Sequence, residues 1–425
     1  LTVSGRLYGV VVQMRYRYRI EPTPTQQKML ARVFGCTRVV FNDALMVRDQ
    51  ACRAGVKLSD SQIQHRVITL AKMTDERAWL AEVSSVALVQ SVNDSRRAWR
   101  NYFDSRTGKR KGRKLGRPRM KSKKDHRQSF RLTRNGFSIR GNGRLFIAKV
   151  GEVMVRWSRE LPSEPSSVTI IHEPDGHYYA SFVVDMPQTP LSVVDREAGM
   201  DVGIARLATV ATSDGHRTDV DNPKHLRRKL RKLRRLEREK SRRQKGSVNR
   251  NKARRKVAVV HGKVARARRD YHHKQALTLV RDNQVIYVED LNIAGMVRNR
   301  QLSQAISDAG WAQFVRILTE KSQKYGRTVY SVSRWLASSK TCSACQHQFS
   351  ELDLQTREWT CPSCGAVHDR DYNAAKVILA AGRAERLNAS HTAGQDRTSG
   401  LGGALVRPQP VAAVGDEAGS SPTAA

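Results

Sequence analysis

Residues 199–204 read Gly199-Met-Asp-Val-Gly-Ile204, and this short run decides the fold. From Met200 to Thr212 the chain alternates as a central strand and its neighbour do. A carboxylate at Asp201, inside so apolar a strand, is costly unless something binds it. Two more acids stand in comparable places. Val285-Ile-Tyr-Val288 reads as a short buried strand, and Glu289 ends it in Val288-Glu-Asp-Leu-Asn292. Asp371 opens a helix in Asp369-Arg-Asp-Tyr-Asn-Ala-Ala375, expected to run from about Tyr372 to Ala381. Cleavage of a phosphodiester by two metal ions needs several carboxylates converging from separate elements, with the ions about 3.5–4 Å apart. Each acid also has a plain structural reading. Asp201 fits a turn or cap, Asp290 rather than Glu289 could face inward, and Asp369 or Asp371 fits a helix N-cap. Spacing alone does not make the three converge.

Between the second and third acids lie two CxxC pairs, Cys342-Ser-Ala-Cys345 and Cys361-Pro-Ser-Cys364, separated by 15 residues. Each pair makes a tight knuckle that sets two thiolates ~2.3 Å from one tetrahedral zinc. The separation suits a hairpin, and the double motif favours zinc over a redox CxxC, which needs only one pair. Four thiolates leave no open position, so this zinc is expected to be structural. Cys36, on a helical stretch, is expected to be a small core residue, and Cys52 carries no signal.

The chain has 425 residues, with 77 Lys and Arg against 39 Asp and Glu, a net charge of +38. Charge of that size points to a polyanionic partner, nucleic acid before an anionic membrane surface. No apolar run approaches the ~20 residues of a membrane helix, and Gly9-Val-Val-Val12 lacks a signal-peptide layout. A soluble cytoplasmic protein, associated with the nucleoid of a bacterium or archaeon, is expected.

Much of the excess positive charge falls in two places. Residues 107–127 are a basic, glycine-containing loop, where Arg117, Arg119, Lys121 and Lys123 are candidate nucleic-acid contacts. Residues 224–269 carry leucines at 226, 230 and 233 and valines at 257, 260 and 264, spaced for two helices joined near Gly246-Ser247. Arg227, Arg228, Lys232, Arg235, Arg254 and Arg255 are the candidates there for tracking phosphates.

Further out, residues 14–20 alternate as a half-buried strand. Thr23-Pro-Thr-Gln26 supplies an N-cap, a proline at the first helical position and a glutamine at the third. A helix is expected to about Leu45, then mostly helix to Phe103, with Leu88, Val92, Trp99 and Phe103 on one face. Over 128–186 the period becomes two: Phe137/Ile139, Leu145/Ile147 and Val153/Val155/Trp157 alternate, and Pro174-Asp-Gly176 makes a hairpin turn. This predicts a small barrel or curled sheet. Trp311, Phe314 and Leu318 mark another amphipathic helix, and the stretch after Gly382 is rich in Ala, Gly, Ser and Pro and is expected to be disordered.

Taken in order, Gly199-Met-Asp-Val-Gly203, the Arg-Lys-Leu-rich helices, Val288-Glu-Asp-Leu-Asn292, Ser338-Ser-Lys-Thr-Cys-Ser-Ala-Cys345, Trp359-Thr-Cys-Pro-Ser-Cys-Gly365 and Asp369-Arg-Asp-Tyr-Asn-Ala-Ala375 resemble the TnpB (OrfB) proteins of insertion sequences. Tyr18–Gln26 and the pair Arg38 and Asn42 also resemble that family, and the likeness runs from about Arg15 to Ala380. Two departures stand out: Gln346 replaces the usual glycine after the second cysteine, a change expected to be tolerable, and Val377 stands where asparagine is common.

The resemblance implies an α/β multidomain protein. Its core would be an RNase H-like (RuvC) nuclease with an inserted zinc ribbon, preceded by a wedge β-barrel carrying a helical insertion. It implies an RNA-guided DNA endonuclease, related to compact type V CRISPR effectors. Asp201, Glu289 and Asp371 would hold two Mg²⁺ as the catalytic acids, and the four cysteines a structural Zn²⁺. The partners would be a guide RNA from the element's own end and a double-stranded DNA target, with no membrane. Pairing of guide and target would read the sequence, and the protein a short flanking motif. The expected division is an N-terminal extension at 1–13, a first wedge strand at 14–22, recognition helices at 23–115 and the wedge barrel at 116–190. The nuclease follows at 191–335, the ribbon at 336–367, the last nuclease part at 368–382 and a disordered tail at 383–425. Two alternatives stay open: a transposase with strand-transfer activity, and a regulator that binds DNA through an inactive core.

Overall fold

The computed structural model describes residues 11–110, 112, 114–353 and 356–395. The first of two large sheets is a nearly closed barrel. It is built from β1 (Val11–Glu21), β2 (Gln128–Thr133), β3 (Phe137–Ile139), β4 (Leu145–Ile147), β5 (Gly151–Arg156), β6 (Ser167–His172) and β7 (Tyr178–Pro187). Their order is β2-β6-β7-β1-β5-β4-β3, every pairing antiparallel. Of the residues whose alternation the sequence shows, Phe137, Leu145, Ile147, Val153 and Val155 point inside, with Leu132 and Phe182, around the fully buried Tyr18, whereas Ile139 is exposed at the end of β3. Gly176, at φ +87°, turns the β6–β7 hairpin where Pro-Asp-Gly predicts it.

The first strand starts earlier than expected. Val11, Val12 and Gln13 pair with Pro187, Met186 and Asp185, so these three residues belong to the barrel and not to an extension. The alternation over 14–20 marks the strand only from Met14, but β7 is long enough to pair further. Residues 1–10 lie outside the described part.

Between β1 and β2 the chain leaves as helices: α1 (Pro24–Arg53), α2 (Asp60–Gln64) and α3 (Ser85–Arg106). Thr23 and Gln26 form the capping box at the start of α1, worth ~1 kcal/mol. Cys36 is buried in this core, and α1 continues a full two turns past Leu45. Leu88, Val92 and Trp99 face inward on α3, but Phe103 is half exposed near the helix end.

The second sheet holds β8 (Glu197–Asp201), β9 (Arg206–Thr212), β10 (Arg217–Asp221), β11 (Val285–Glu289) and β12 (Thr328–Val332), in the order β10-β9-β8-β11-β12. The first three strands meander antiparallel, and β11 and β12 add parallel to β8. The connection from β10 to β11 contains α4 (Leu230–Ser241) and α5 (Val248–Asp282), which turn at Gly246 (φ +88°) and pack through Leu233, Leu236, Val257 and Val260. From β11 to β12 run α6 (Ile293–Met296), α7 (Ser303–Ala309) and α8 (Trp311–Lys324), the last burying Trp311, Phe314 and Leu318 under the sheet. The hairpin β13 (Glu358–Thr360) and β14 (Val367–Asp369) then leads into α9 (Arg370–Gln395).

Helix α9 corrects the expected tail. It does not stop at Ala381 but continues through residues 383–395, because Arg-Ala-Glu-Arg-Leu favours helix and Arg383 and Arg386 both reach Glu197 on β8. Glycine usually ends a helix, but Gly382 serves a close approach instead. A Cβ there would lie 2.6 Å from Cγ of the Tyr287 ring. Residues 396–425 lie outside the described part.

Candidate active site and cysteine cluster

Asp201 and Glu289 end neighbouring parallel strands. Met200 pairs with Val288 in register, so the two acids emerge together at the same end of the sheet, from its interior strands, about one strand spacing of 4.8 Å apart in backbone. Asp371 comes from the first turn of α9, which lies on β8. The approach is close enough that a Cβ on Gly199 would stand 2.5 Å from the Leu379 amide nitrogen, and closer still to the Ala375 carbonyl oxygen. Glycine at 199 is therefore what allows the helix to bring its start over the end of β8.

The electrostatics agree with a shared site. Burial pushes the Asp201 carboxyl well above its usual range, and the nearby carboxylates of Glu289 and Asp371 push it further, with Arg370 opposing. Burial also raises Glu289, while the Ser338 hydroxyl, donating to its Oε1 at 2.5 Å, pulls the other way. The open readings now separate. Asp369, not Asp371, caps α9 by accepting from the Tyr372 amide at 2.9 Å. Asp290 turns outward to Arg334. Asp371 is flanked by Arg206 and Arg357, each 3.8 Å from a carboxylate oxygen. Asp201, Glu289 and Asp371 are all half-buried, and the other two carboxylates act on Asp201, but their oxygens are not drawn into one tight cluster as the cysteine sulfurs are.

The four cysteines also converge, with all sulfurs within 4.8 Å of one another. Cys342 and Cys364 are 3.8 Å apart, Cys345 and Cys361 3.6 Å. Ligands ~2.3 Å from a tetrahedral zinc would stand roughly 3.8 Å apart, so the set fits that ion. The two knuckles repeat one backbone pattern: Gln346 donates to the Cys342 carbonyl and Gly365 to the Cys361 carbonyl, both at 2.9 Å. Gly365 has φ +72° and Gln346 φ +64°, so glutamine occupies a left-handed position. A backbone hydrogen bond at His347 holds the Cys345 thiol down at about 7, with its neighbour sulfurs adding.

Sequence reasoning missed several contributors. His368 puts Nε2 3.1 Å from the Cys342 sulfur, and Asn373 ties the first knuckle to α9. Ser338, Asn373 and His368 carried no ligand spacing, and only their places beside the cysteines and Asp371 could have drawn notice.

All ten basic candidates, Arg117, Arg119, Lys121, Lys123, Arg227, Arg228, Lys232, Arg235, Arg254 and Arg255, are exposed. Three of them also make local contacts: Arg117 pairs with Asp49, Lys121 sits over the Phe41 ring with its main chain held by Asn42, and Arg255 packs on the Asp175-Gly176 turn. Arg235 lines an open cleft with Arg238, Arg242, Arg243 and Glu239. Among the described residues, no helix is long and apolar enough to cross a membrane.

Comparison with known proteins extends these observations. A family model, OrfB_IS605, described as "Probable transposase", matches residues 181–300. A "Cas12f1-like, TNB domain" model matches 311–378, covering the cysteines and the start of α9. A model described as "Helix-turn-helix domain" matches 12–57, which here form β1 and α1. A Streptomyces pristinaespiralis protein named "Putative RNA-guided DNA endonuclease" is 39% identical over 402 residues, covering 94% of this chain and 96% of its own. An Escherichia coli K12 protein, "Putative RNA-guided DNA endonuclease InsQ", is 30% identical over 87% of this chain and 92% of its own. In fold, the chain resembles the protein of a Cas12f1–sgRNA–target DNA complex, with a TM-score of 0.55 at 12% identity, over 87% of this chain and 99% of that one. With this extent of identity, spanning both sheets and the cysteine cluster, the chain belongs to the TnpB (OrfB) family of insertion-sequence proteins.

Proposed function

We propose that this protein is an RNA-guided DNA endonuclease whose second sheet is an RNase H-like, RuvC-type core. The strand order, a three-stranded antiparallel meander with two parallel strands added beside its first member, supports that reading. The observation that carries it is geometric: Asp201 and Glu289 leave adjacent parallel strands at the same end of the sheet, and α9 crosses β8 at Gly199 to bring Asp371 near them. These three carboxylates would hold a pair of Mg²⁺. When bound, such ions supply an activated water and stabilise the leaving oxygen.

The chain's own residues do the rest. The sheet fixes Asp201 and Glu289 at one level, and α9 brings Asp371 to them across Gly199. Arg206 and Arg357, flanking Asp371, are placed to hold a phosphate drawn into the site. The four-cysteine cluster would hold Zn²⁺ with no open ligand position, and its role is to shape the site. The exposed arginines and lysines of α4, α5 and the 107–127 loop would neutralise guide RNA and target DNA in a salt-dependent way. On this reading the helices over 23–115 and the barrel form the recognition half, and residues from 191 onward the nuclease half.

The test is expression of the chain with its native flanking DNA, sequencing of the RNA that copurifies, and assay of DNA matched to that RNA. A defined RNA that directs Mg²⁺-dependent cutting is expected. Strand joining without RNA would favour the transposase reading, and binding without cutting the regulator.

A further inference from the structure

The segment Ser338–Ser343 touches one acid at one end and, at the other, the helix that carries another. At one end the Ser338 hydroxyl donates to Glu289 Oε1 at 2.5 Å, from a side chain only 5% exposed. At the other, Asn373, 1% exposed and two residues beyond Asp371, uses both halves of its amide. Its Nδ2 donates to the Thr341 carbonyl at 2.7 Å, and its Oδ1 accepts from the Ser343 amide at 2.8 Å. Between those two backbone groups stands Cys342, fully buried in the cysteine cluster. The six residues are therefore a strut, with one carboxylate hydrogen-bonded at its foot and the helix carrying another clamped at its head.

We propose that this strut positions two of the three acids, with Ser338 orienting Glu289 and Asn373 registering the start of α9, so that loading the cysteine cluster raises the affinity of the acid site for divalent ions. The proposal rests on the acid reading given above. Ser338 and Asn373 are positioning residues, because neither need touch substrate or metal. Partners that orient ligating carboxylates typically change metal affinity or activity by about 10–100-fold when removed. A serine serves better here than alanine or valine because one Glu289 oxygen is held while the other stays free to ligate.

Ser338→Thr and Ser338→Val test this as a pair, since they are nearly isosteric and share any packing cost. Each is prepared as the full chain with its copurified RNA. Cleavage is titrated with Mg²⁺, and Mn²⁺ binding is measured directly by electron paramagnetic resonance. Val is expected to raise the half-saturating Mg²⁺ and weaken Mn²⁺ binding by about tenfold relative to Thr. Equal behaviour of the two variants would overturn the role of Ser338. Cys361→Ser, once stripped of zinc, is expected to shift the Mg²⁺ dependence in the same direction, and a wild-type dependence would overturn the coupling. If Asp201→Ala still cuts, the acid reading itself falls. If it is inactive while Thr and Val agree, only the strut falls.

Discussion

Gly199 and Ala375 meet where helix α9 crosses strand β8, so closely that no β-carbon fits between the strand backbone and the helix carbonyl. That contact sets the height of Asp371 above Asp201, because the acid is one helical turn from Ala375. Gly199→Ala forces a shift against backbone, not against a flexible side chain. The expected cost is about 3 kcal/mol, at the upper end for overpacking. Cleavage should fall far more than RNA retention does. Thermal melts and a cleavage assay check this, and an unshifted melting temperature would remove the close contact from the account.

The raised carboxyls give a pH dependence whose sign can be worked out. Asp201 holds its proton more tightly folded than unfolded, owing first to burial and then to Glu289 and Asp371. The native state therefore binds more protons, and metal-free stability falls as pH rises from the ordinary carboxylate range through the raised value. Asp201→Asn removes that charge. Without divalent ions it should melt above wild type at pH 8, with the gap closing toward pH 4. Mg²⁺ should stabilise wild type more than the Asn form. Equal melting of the two metal-free proteins at pH 8 would count against a crowded acid site.

Gln346 sits at φ +64° in the first knuckle, where its counterpart Gly365 has φ +72°. A non-glycine residue in that region costs about 1–2 kcal/mol. Gln346→Gly should stabilise the zinc-loaded ribbon by about 1 kcal/mol, read as a several-fold slower loss of zinc to a chelator. Faster loss would mean that the glutamine side chain itself supports the ribbon.

Cys361→Ser removes one of four sulfurs held within 4.8 Å. Zinc content by elemental analysis should drop well below one per chain, and the ribbon should become protease-sensitive. Full zinc retention would contradict a four-thiolate site.

Much of this was legible in the sequence for definite reasons. The two-residue period over 128–186 and the leucine and valine spacing over 224–269 report which face is buried, so the barrel strands and the α4–α5 hairpin came out in place. The double CxxC names its own chemistry. Asp201 could be singled out because a charge inside an apolar strand needs a reason. What period and spacing cannot carry is contact between distant elements. That α9 lies on β8 and β11 depends on Gly199 and Gly382, which in sequence look like any other glycines in the chain. Ser338 and Asn373 are ordinary polar residues until the strut forms. The continuation of α9 past Gly382 is fixed by ion pairs to Glu197, almost 190 positions earlier.

The central claim is that Asp201, Glu289 and Asp371 form one metal-dependent cutting site, and Asp201→Ala tests it most directly. The variant, purified with its copurified RNA, is assayed on matched DNA with Mg²⁺ beside wild type. DNA binding within about twofold of wild type and cleavage reduced by at least about 10³-fold are expected, since a metal ligand is lost and no phosphate contact is. Cleavage at the wild-type rate would contradict the account.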